Sequence, residues 1–239
     1  MKLAVIGDPV AHSASPEIHR RLLREAGVDG SYEAIRVGAG GAAGALRRLA
    51  EEAFAGCNVT SPLKEEALAA CDHLSLAAQR ARAVNTVVFG RTLLGTTTDG
   101  TGAAEALRAH LGSLAGREIL VLGTGPAARA VVAQLAEEGV RLWLWSRDAG
   151  KVEALRARFG GLAFAREVRI EDAVFSALSP EAQLPAEVAA VASRVPLVMD
   201  ANYGDRATLG RQIGRRVVDG AEMLEAQARA AFSFWLESR

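Results

Sequence analysis

Short apolar runs alternate with amphipathic helical segments along almost the whole of the 239-residue chain, and this alternation constrains the fold more than any other feature. Runs such as residues 3–6 and 119–122 are apolar and strand-like, and each is followed by a segment that contains residues at helical spacing. This order is typical of βα units, in which helices cover a parallel sheet. The sequence therefore predicts an α/β protein.

The chain divides into two blocks and a tail. Residues 1–99 contain predicted strands at 3–6, 32–37 and 57–60, predicted helices at 16–26, 42–53 and 62–70, and a hairpin made of the runs 84–89 and 92–95. Residues 100–218 contain a predicted helix at 103–111, strands at 119–122, 141–146, 173–177 and 197–199, and a further helix at 185–193. Residues 219–239 form the tail, and the helical spacing of its apolar residues over 221–235 predicts a helix that packs back on one of the blocks.

Charge and hydrophobicity exclude several classes of protein. The 28 basic residues balance 28 acidic ones, half of the residues are hydrophobic, and 23% are charged. This is the balance of a water-soluble globular protein, not of a nucleic-acid-binding or disordered one. No apolar stretch approaches the roughly 18 residues that a membrane-spanning helix needs, and the N-terminus lacks the long apolar region of a signal peptide. We therefore expect a cytoplasmic protein with neither a membrane nor a nucleic-acid partner.

The cysteines and histidines form no pattern that is typical of a metal site. Cys57 and Cys71 are too few for a disulfide framework and lack CxxC spacing, so we expect them to fill apolar space in a reducing compartment. The four histidines have no ligand spacing either; they are His12, His19, His73 and His110. The sequence predicts no metal.

A glycine motif in the second block points to a dinucleotide. The apolar run 119–122 is followed by Gly-x-Gly-x-x-Ala and by a predicted helix over 127–138. Gly123 permits a tight turn, Gly125 lets the backbone approach a pyrophosphate, and the small Ala128 allows the helix to pack closely on the strand. The helix N-terminus offers free N–H groups to the anion. The strand, turn and helix context favours a Rossmann-type dinucleotide-binding domain over an ordinary βα turn.

The end of the next strand indicates which dinucleotide is bound. Arg147 follows Ser146 there, and Lys151 lies one helical turn further on. Two cations favour the 2′-phosphate of NADP, whereas a carboxylate favours the bare ribose of NAD. Asp148 therefore keeps NAD possible, and the same cations at a solvated strand end are a further alternative.

Two serines stand at the predicted start of the first helix. Ser15 suits an N-cap because Pro16 follows it as a first helical residue, so Ser15 alone needs no function. Ser13 is not explained in this way. Two hydroxyls separated by one residue at a helix N-terminus form a fork of donors that suits a carboxylate, although a plain polar turn remains open.

A lysine occupies an unusual place in the first block. Residues 58–64 read as a strand passing into a helix, with Ser61 as the expected cap and Lys64 in the first helical turn. The positive end of the helix dipole disfavours a cation at this place, which suits a group that gives up and accepts a proton during catalysis. The alternative is a surface lysine paired with Glu65 or Glu66.

A carboxylate stands where the two blocks join. Asp99 follows the polar residues 96–98 and could simply cap the next helix. We expect a cleft between a substrate block and a cofactor block at this junction, where the Asp99 carboxylate could partner Lys64. Asn85 and Thr86 add amide and hydroxyl groups to the same region.

These segments resemble, in order and spacing, the shikimate dehydrogenase family. They are GDPVAHSASP, NVTSPLK, AVNTV, GTTTDGTG, GTGPAA followed by SRDAGK, and GAEMLEAQ. The resemblance implies that Lys64 and Asp99 are the catalytic pair and that Ser13 and Ser15 hold the substrate carboxylate. It implies that the rest of the substrate pocket is lined by Thr60, Asn85, Tyr203 and Gln227. The expected cofactor-binding residues are Gly123, Thr124, Gly125, Pro126, Ala127, Ser146, Arg147, Lys151 and Gly220.

The resemblance also implies the reaction and the role of the tail. The reaction is the reversible reduction of 3-dehydroshikimate to shikimate by NADPH, in the pathway to chorismate and the aromatic amino acids. The C-terminal helix with Gln227 is expected to return to the first block, which would act as the substrate domain. Whether the chain is a monomer or a homodimer is left open.

Several positions depart from the family's usual residues. Thr97 stands where Asn is usual, Arg82 replaces Gly, Ser146 replaces Asn, and the region 176–185 looks shortened. Most of these departures lie on the cofactor side. They leave two alternatives open: a quinate/shikimate dehydrogenase paralogue that uses NAD, and a weakly active shikimate-binding relative with impaired cofactor binding.

Overall fold

The computed structural model describes residues 1–159 and 172–238. The chain forms two compact units. The first consists of Met1–Asp99 and Glu225–Arg239, and the second consists of Gly100–Leu224. The first unit is therefore assembled from both ends of the chain.

The first unit contains a six-stranded mixed sheet. Its strands are β1 (Lys2–Gly7), β2 (Ser31–Arg36), β3 (Gly56–Val59), β4 (His73–Leu74), β5 (Thr86–Phe89) and β6 (Leu93–Thr96), in the order β2-β1-β3-β5-β6-β4. β1 pairs in parallel with β2 and β3, whereas β5 pairs antiparallel with β3 and β6. The β5–β6 pair confirms the predicted hairpin. The helices that lie entirely in this unit are α1 (Ser15–Glu25), α2 (Ala42–Glu51), α3 (Lys64–Ala70) and α4 (Leu76–Ala81).

Alternate residues of the central strands face two separate apolar cores in this unit. On one face Ala4, Ile6 and Cys57 pack with side chains of α2 and α3. On the other face Leu3 and Val5 pack with side chains of α1 and of the C-terminal helix. This alternation follows from the two-residue period of a strand that is covered on both sides.

In the described residues of the second unit, four strands form a sheet, and all of them are parallel. The strands are β7 (Glu118–Leu122), β8 (Arg141–Trp145), β9 (Ala173–Ser176) and β10 (Leu197–Asp200), in the order β10-β9-β7-β8. The helices are α5 (Asp99–Leu111), α6 (Pro126–Glu137), α7 (Ala149–Phe159), α8 (Ala186–Arg194) and α9 (Leu209–Ile213), with a 3₁₀ turn at Gly204–Arg206. Apolar clusters cover both faces of this sheet. The α/β prediction is confirmed.

The C-terminal helix α10 (Ala221–Glu237) packs its last turns on the first unit. Trp235 is buried there, and its indole N–H donates to the carbonyl oxygen of Val87 at 2.9 Å. A Cβ atom on Gly56 would lie 2.3 Å from the indole nitrogen. Glycine is therefore required at the start of β3, because the indole lies against that backbone.

The structure corrects several predicted starts and caps. α1 begins at Ser15 with Ala14 at the N-cap, so Ser15 is not the cap. α3 begins at Lys64 rather than at residue 62, and Ser61 does not cap it because a turn closed by the Leu63 N–H and the Thr60 carbonyl (2.9 Å) intervenes. α5 begins at residue 99, four residues earlier than predicted.

The sequence analysis did not predict α7, and it also missed several short elements. β4 has two residues and α4 has six, and a pattern of that length is too short for its hydrophobic period to stand out. Within residues 1–159 and 172–238, no helix is long and apolar enough to cross a membrane.

Candidate active site and cofactor-binding site

A largely buried ion pair joins the first residues of two helices. The Lys64 ammonium at the start of α3 lies 2.6 Å from Oδ2 of Asp99 at the start of α5. The side chains are only 16% and 8% exposed, respectively. A charge-assisted hydrogen bond this short and this shielded from water is stronger than a surface ion pair.

The observed partner of Lys64 bears on the two interpretations of that residue. The Glu66 carboxylate does not pair with Lys64 but accepts the backbone N–H groups of Gly40 (2.8 Å) and Ala42 (3.2 Å). Lys64 reaches Asp99 instead. The arrangement is not that of a surface lysine paired with Glu66, and it favours a proton-exchanging group held against a carboxylate.

Asn85 fixes the second oxygen of Asp99. Its side-chain N–H donates to Asp99 Oδ1 at 2.8 Å, while its own oxygen accepts the backbone N–H of Thr98 at 2.9 Å. The backbone N–H can only donate, so it determines which way the amide points. Both carboxylate oxygens of Asp99 thus accept a hydrogen bond from a defined donor.

Gln227 joins this group from α10. Its side-chain oxygen accepts from the hydroxyl of Thr98 at 3.2 Å and from the side-chain N–H of Asn85 at 3.3 Å. The first unit thereby brings together four of the predicted site residues, namely Lys64, Asn85, Asp99 and Gln227. They supply an ammonium, a carboxylate and two amides, the groups that a polyhydroxylated substrate can engage.

Asn58 is a buried polar residue beside this group that the sequence interpretation did not select as a candidate. It is buried in β3, where its oxygen accepts the Tyr32 hydroxyl at 2.6 Å and its N–H donates to the Thr86 hydroxyl at 3.0 Å and to the Asn85 carbonyl at 3.2 Å. The signal was an asparagine inside an apolar strand, because a buried amide needs partners.

Ser13, and not Ser15 as expected, accepts a backbone N–H at the start of α1. The Ser13 hydroxyl accepts the backbone N–H of Ser15 at 3.2 Å, so Ser13 rather than Ser15 satisfies a backbone donor at this helix start. The Ser15 side chain faces the buried Tyr32. Burial, reinforced by Cys57, raises the pKa of Tyr32 well above its usual value, and a hydrogen bond with Ser15 opposes the rise. Tyr32 therefore remains a neutral phenol that can donate.

Thr60 lies directly after β3 and is held close to the end of β1. Its backbone N–H donates to the Ile6 carbonyl at 2.9 Å. A Cβ atom on Gly7 would lie only 2.3 Å from the methyl group of Thr60. The glycine at the end of β1 is what allows this close approach.

The glycine motif in the second unit has the geometry of a dinucleotide site. Gly123 has φ +112°, a value that favours glycine, and its N–H donates to the Trp145 carbonyl at 2.8 Å. A Cβ atom on Gly125 would point into open space. Gly125 is also the N-cap of α6 and makes no side-chain cap, and Pro126 is the first helical residue. An open approach to uncapped N–H groups fits a pyrophosphate.

Thr124 and Ala127 complete this turn in the second unit. Both are partly exposed, and the Thr124 hydroxyl contacts the Ser146 hydroxyl at 3.4 Å. The turn after β7 and the end of β8 are therefore adjacent, as an adenosine-binding site requires.

The carboxylate of Asp148 is engaged in a structural role. Its Oδ1 accepts the backbone N–H of Lys151 at 3.1 Å near the start of α7, and its Oδ2 lies 3.7 Å from the Lys151 ammonium. Arg147 is exposed, and no ion pair of its guanidinium occurs in residues 1–159 and 172–238. Arg147 is thus available to bind a phosphate. The Asp148 carboxylate, by contrast, is already engaged and is not available to bind a ribose.

Two predicted residues lie elsewhere in the second unit. Tyr203 immediately precedes the 3₁₀ turn. Gly220 donates its N–H to the Asn202 carbonyl at 2.9 Å, and a Cβ atom on it would lie 2.2 Å from the Ala201 carbonyl oxygen. Backbone packing therefore requires a glycine at position 220, whatever else it does.

The two thiols have the character of apolar filler. Burial raises the pKa of Cys71 to about 11, and burial raises that of Cys57 further still. Neither forms a disulfide, and thiols held in the protonated form are poor nucleophiles. In the described parts of the chain, no group of three His, Cys, Asp or Glu side chains could hold a metal ion.

Comparisons with known proteins agree with this geometry. Residues 5–87 match the family described as the shikimate dehydrogenase substrate binding domain. The chain is 40% identical over 253 residues to the shikimate dehydrogenase (NADP(+)) of Gluconobacter oxydans, covering 98% of this chain and 90% of that one. It is also 40% identical over 250 residues to the enzyme of the same name from Thermus thermophilus, covering 98% and 92%.

Solved structures show the same likeness over both units. The crystal structure of Thermus thermophilus shikimate 5-dehydrogenase in complex with NADP(H) and shikimate matches with a TM-score of 0.85 at 37% identity, covering 99% of this chain and 94% of that one. An Ael1 enzyme from Pseudomonas putida matches with a TM-score of 0.86 at 31% identity, covering 98% and 92%. This chain therefore belongs to the shikimate dehydrogenase family.

Proposed function

We propose that this protein catalyses the reversible, NADP-dependent reduction of 3-dehydroshikimate to shikimate, with Lys64 and Asp99 as its catalytic pair. The observation that carries the proposal is the 2.6 Å contact between the Lys64 ammonium and Asp99 Oδ2 beside Asn85 and Gln227. Relatives that cover nearly the whole chain bear the name shikimate dehydrogenase (NADP(+)), which supports the same substrate and cofactor.

The chemistry of the pair follows from its geometry. When bound, NADPH would supply the hydride that the ring carbonyl carbon accepts, so that the carbonyl oxygen gains negative charge. Lys64 Nζ is a proton donor to that oxygen, so that hydride and proton together convert the ketone to the alcohol. Asp99 holds the lysine through Oδ2 while Asn85 holds Asp99 through Oδ1. In the oxidation of shikimate, Lys64 accepts the hydroxyl proton.

The remaining predicted residues bind the substrate in this proposal. Ser13 and Ser15 hold the single carboxylate, and the amides of Asn85 and Gln227 engage ring hydroxyls. Thr60 and Tyr203 complete the set. Asn58 supports this set from behind, because its side-chain N–H donates to the backbone carbonyl of Asn85.

The second unit binds the dinucleotide in this proposal. The open N-terminal turn of α6 at Gly125 would hold the pyrophosphate, and Arg147, Lys151 and Ser146 would hold the 2′-phosphate. NADP is favoured over NAD because the Asp148 carboxylate is already bonded to the N–H of Lys151.

The segment after β9, which the resemblance suggests is shortened, is anchored within the second unit. Side chains donate to its carbonyl oxygens: Asn202 to Leu178 at 2.9 Å, Thr208 to Pro180 at 2.8 Å, and Gln212 to Ala182 at 2.8 Å. A segment held at three points does not by itself favour the alternative in which cofactor binding is impaired.

Replacement of Lys64 tests the catalytic assignment. In Lys64→Ala we expect kcat for shikimate oxidation to fall about 10²–10⁴-fold, because general acid and base catalysis is lost. KM should change much less, since several other groups hold the substrate. The measurement is the initial rate of NADP reduction at saturating shikimate.

Lys2→Ala is the matched control, because Lys2 lies in the same unit with its ammonium over the Phe54 ring, 4.1 Å from the centroid. This variant should turn over like the wild type. Undiminished kcat in Lys64→Ala would remove Lys64 from the mechanism, whereas a wild-type protein that does not oxidise shikimate with NADP would refute the proposed reaction itself.

A further inference from the structure

A line of buried hydrogen bonds extends from the catalytic carboxylate into the core of the first unit. It runs from Tyr32 through Asn58 and Thr86 to Asn85, which bonds Asp99. The successive donor–acceptor distances are 2.6, 3.0, 2.9 and 2.8 Å. All five side chains are buried, so water does not compete for these bonds.

Backbone groups fix the direction of the line. Asn58 donates its N–H to the carbonyl of Asn85, which can only accept, so the Asn58 oxygen is left to face Tyr32. Asn85 accepts the backbone N–H of Thr98, which can only donate, so the Asn85 N–H is left to face Asp99. Neither amide can flip without losing one of these bonds.

Thr86 is the link between the two fixed amides. Its oxygen accepts an N–H from Asn58, so its single proton is directed to the oxygen of Asn85. The hydroxyl thus serves both amides at once. A buried hydroxyl with a defined donor and a defined acceptor orders its neighbours more strongly than one that can rotate freely.

We propose that Thr86 is a positioning residue, whose hydroxyl, oriented by Asn58 and Tyr32, holds Asn85 and through it the Asp99 carboxylate in register with Lys64. This inference rests on the proposed roles of Lys64 and Asp99. Thr86 bonds only the amides in this line and reaches Asp99 through Asn85. Loss of the Thr86 hydroxyl changes the alignment of Lys64 and Asp99 but removes neither of their side chains.

Two replacements of Thr86 separate the hydroxyl from the shape of the side chain. Thr86→Val keeps the volume but leaves the Asn58 N–H and the Asn85 oxygen each with one partner fewer. We expect kcat to fall about tenfold, the equivalent of about 1.4 kcal/mol, with a smaller change in KM. Thr86→Ser keeps the hydroxyl and should restore at least half of the lost kcat.

The control for a general loss of stability is Trp235→Phe. It breaks a buried hydrogen bond to Val87, the residue next to Thr86, removes none of the hydrogen bonds of the line, and keeps an aromatic ring beside Tyr32. We expect this variant to lower the melting temperature while kcat stays within about twofold of the wild type. A parallel fall of kcat in Trp235→Phe and Thr86→Val would mean that lost stability explains both, and would overturn the proposal.

The line also predicts coupling between its links. Tyr32→Phe should lower kcat, and Tyr32→Phe combined with Thr86→Val should lower it less than the product of the single effects, because both act through Asn85. Independent effects that multiply would contradict action through a shared path. Thr86→Val with wild-type kcat, or Thr86→Ser as impaired as Thr86→Val, would refute the role of the hydroxyl.

A spectroscopic readout keeps this inference separate from the proposed reaction. The side-chain amide protons of Asn85 should shift in the NMR spectrum of Thr86→Val and return towards the wild-type position in Thr86→Ser. Unchanged Asn85 amide signals in Thr86→Val would refute the positioning role even if the wild type were active on another substrate. Inactivity of the wild type with shikimate and NADP would instead refute the proposed function.

Discussion

His19 is a fully buried imidazole in the core of the first unit. Its ring stacks on Tyr32 with centroids 4.4 Å apart and planes 4° apart. Burial lowers the pKa of His19 from 6.5 to about 4, and Asn58 and the Glu225 carboxylate oppose this shift. The native state therefore keeps the imidazole neutral at a pH where the unfolded chain has already bound a proton.

The sign of the pH dependence follows from that difference. Between pH 6.5 and pH 4 the unfolded state holds one more proton than the native state, so the free energy of unfolding falls as the pH is lowered. Above pH 6.5 the buried His19 does not lower the free energy of unfolding. By pH 4 it has lowered the free energy of unfolding by up to roughly 3 kcal/mol. Urea unfolding at a series of pH values measures it.

His19→Phe is the matched variant for this prediction, because it keeps a flat ring against Tyr32 and cannot titrate. We expect its stability to depend on pH less steeply than that of the wild type, by about 1.4 kcal/mol per pH unit between pH 6 and 4.5. Other titrating groups cancel in the comparison. Equal slopes for the two proteins would show that His19 does not carry the effect.

Among single residues, the sequence indicated the chemistry of the site better than its local geometry. The unusual place of Lys64 and Asp99 was visible in the sequence, and the structure puts their side chains in contact. Ser15 was expected to cap a helix, yet the observed cap residue is Ala14. A one-residue shift of a helix start cannot be read from a Ser-Pro pair, because both residues are tolerated on either side of the boundary.

The start of α7 supplies a test at the scale of one element. Asp148 accepts the Lys151 N–H there, so Asp148→Ala should destabilise the second unit by about 1 kcal/mol. The ratio of kcat/KM for NADP to that for NAD should stay within about threefold of the wild type, since the carboxylate is engaged in the cap. Thermal unfolding and steady-state rates with both cofactors provide the two measurements.

Asp148→Asn is the control, because asparagine can cap the same helix without a charge. It should recover most of the lost stability. A strong rise in the relative use of NADP in both variants would mean that Asp148 does take part in choosing the cofactor. That result would contradict the capping role as the full account of this residue.

Most elements of ordinary length followed the hydrophobic period, but the eleven-residue α7 was not predicted, and neither were the short elements. The predicted strands 3–6 and 119–122 correspond to β1 and β7, with bounds shifted by one residue or less. α4 was missed, and its C-cap residue Arg82 has φ +49° and ψ +44°. The left-handed conformation explains why the family usually has glycine there, a requirement that a hydrophobic pattern does not carry.

At the scale of the whole chain, the first unit depends on residues that are far apart in sequence. Gln227 bonds Thr98 and Asn85, and Trp235 bonds Val87. The helical period of residues 221–235 predicted a helix but did not say which block it joins. The packing of this helix on the first unit depends on close side-chain fit, such as the contact of Trp235 with Gly56. The resemblance to a family indicated which block the helix joins, whereas the helical period did not.

The buried polar line was likewise beyond sequence reasoning. Tyr32 and Asn58 lie on strands that are separated in the sheet by β1, and their side chains meet through a 2.6 Å hydrogen bond. Tyr32 alone is ordinary for a strand, whereas Asn58 is an amide in an apolar strand that needs partners but does not indicate which ones. Only the order of strands brings the phenol to the amide, and strand order is a property of the complete fold.

The central claim is the identity of substrate and cofactor, and one comparison tests it most directly. Purified protein is assayed for oxidation of shikimate and of quinate, each with NADP and with NAD. We predict that shikimate with NADP has the highest kcat/KM of the four pairs, by about tenfold or more, equivalent to at least about 1.4 kcal/mol. A higher kcat/KM for quinate or for NAD, or no turnover with any pair, would contradict the account.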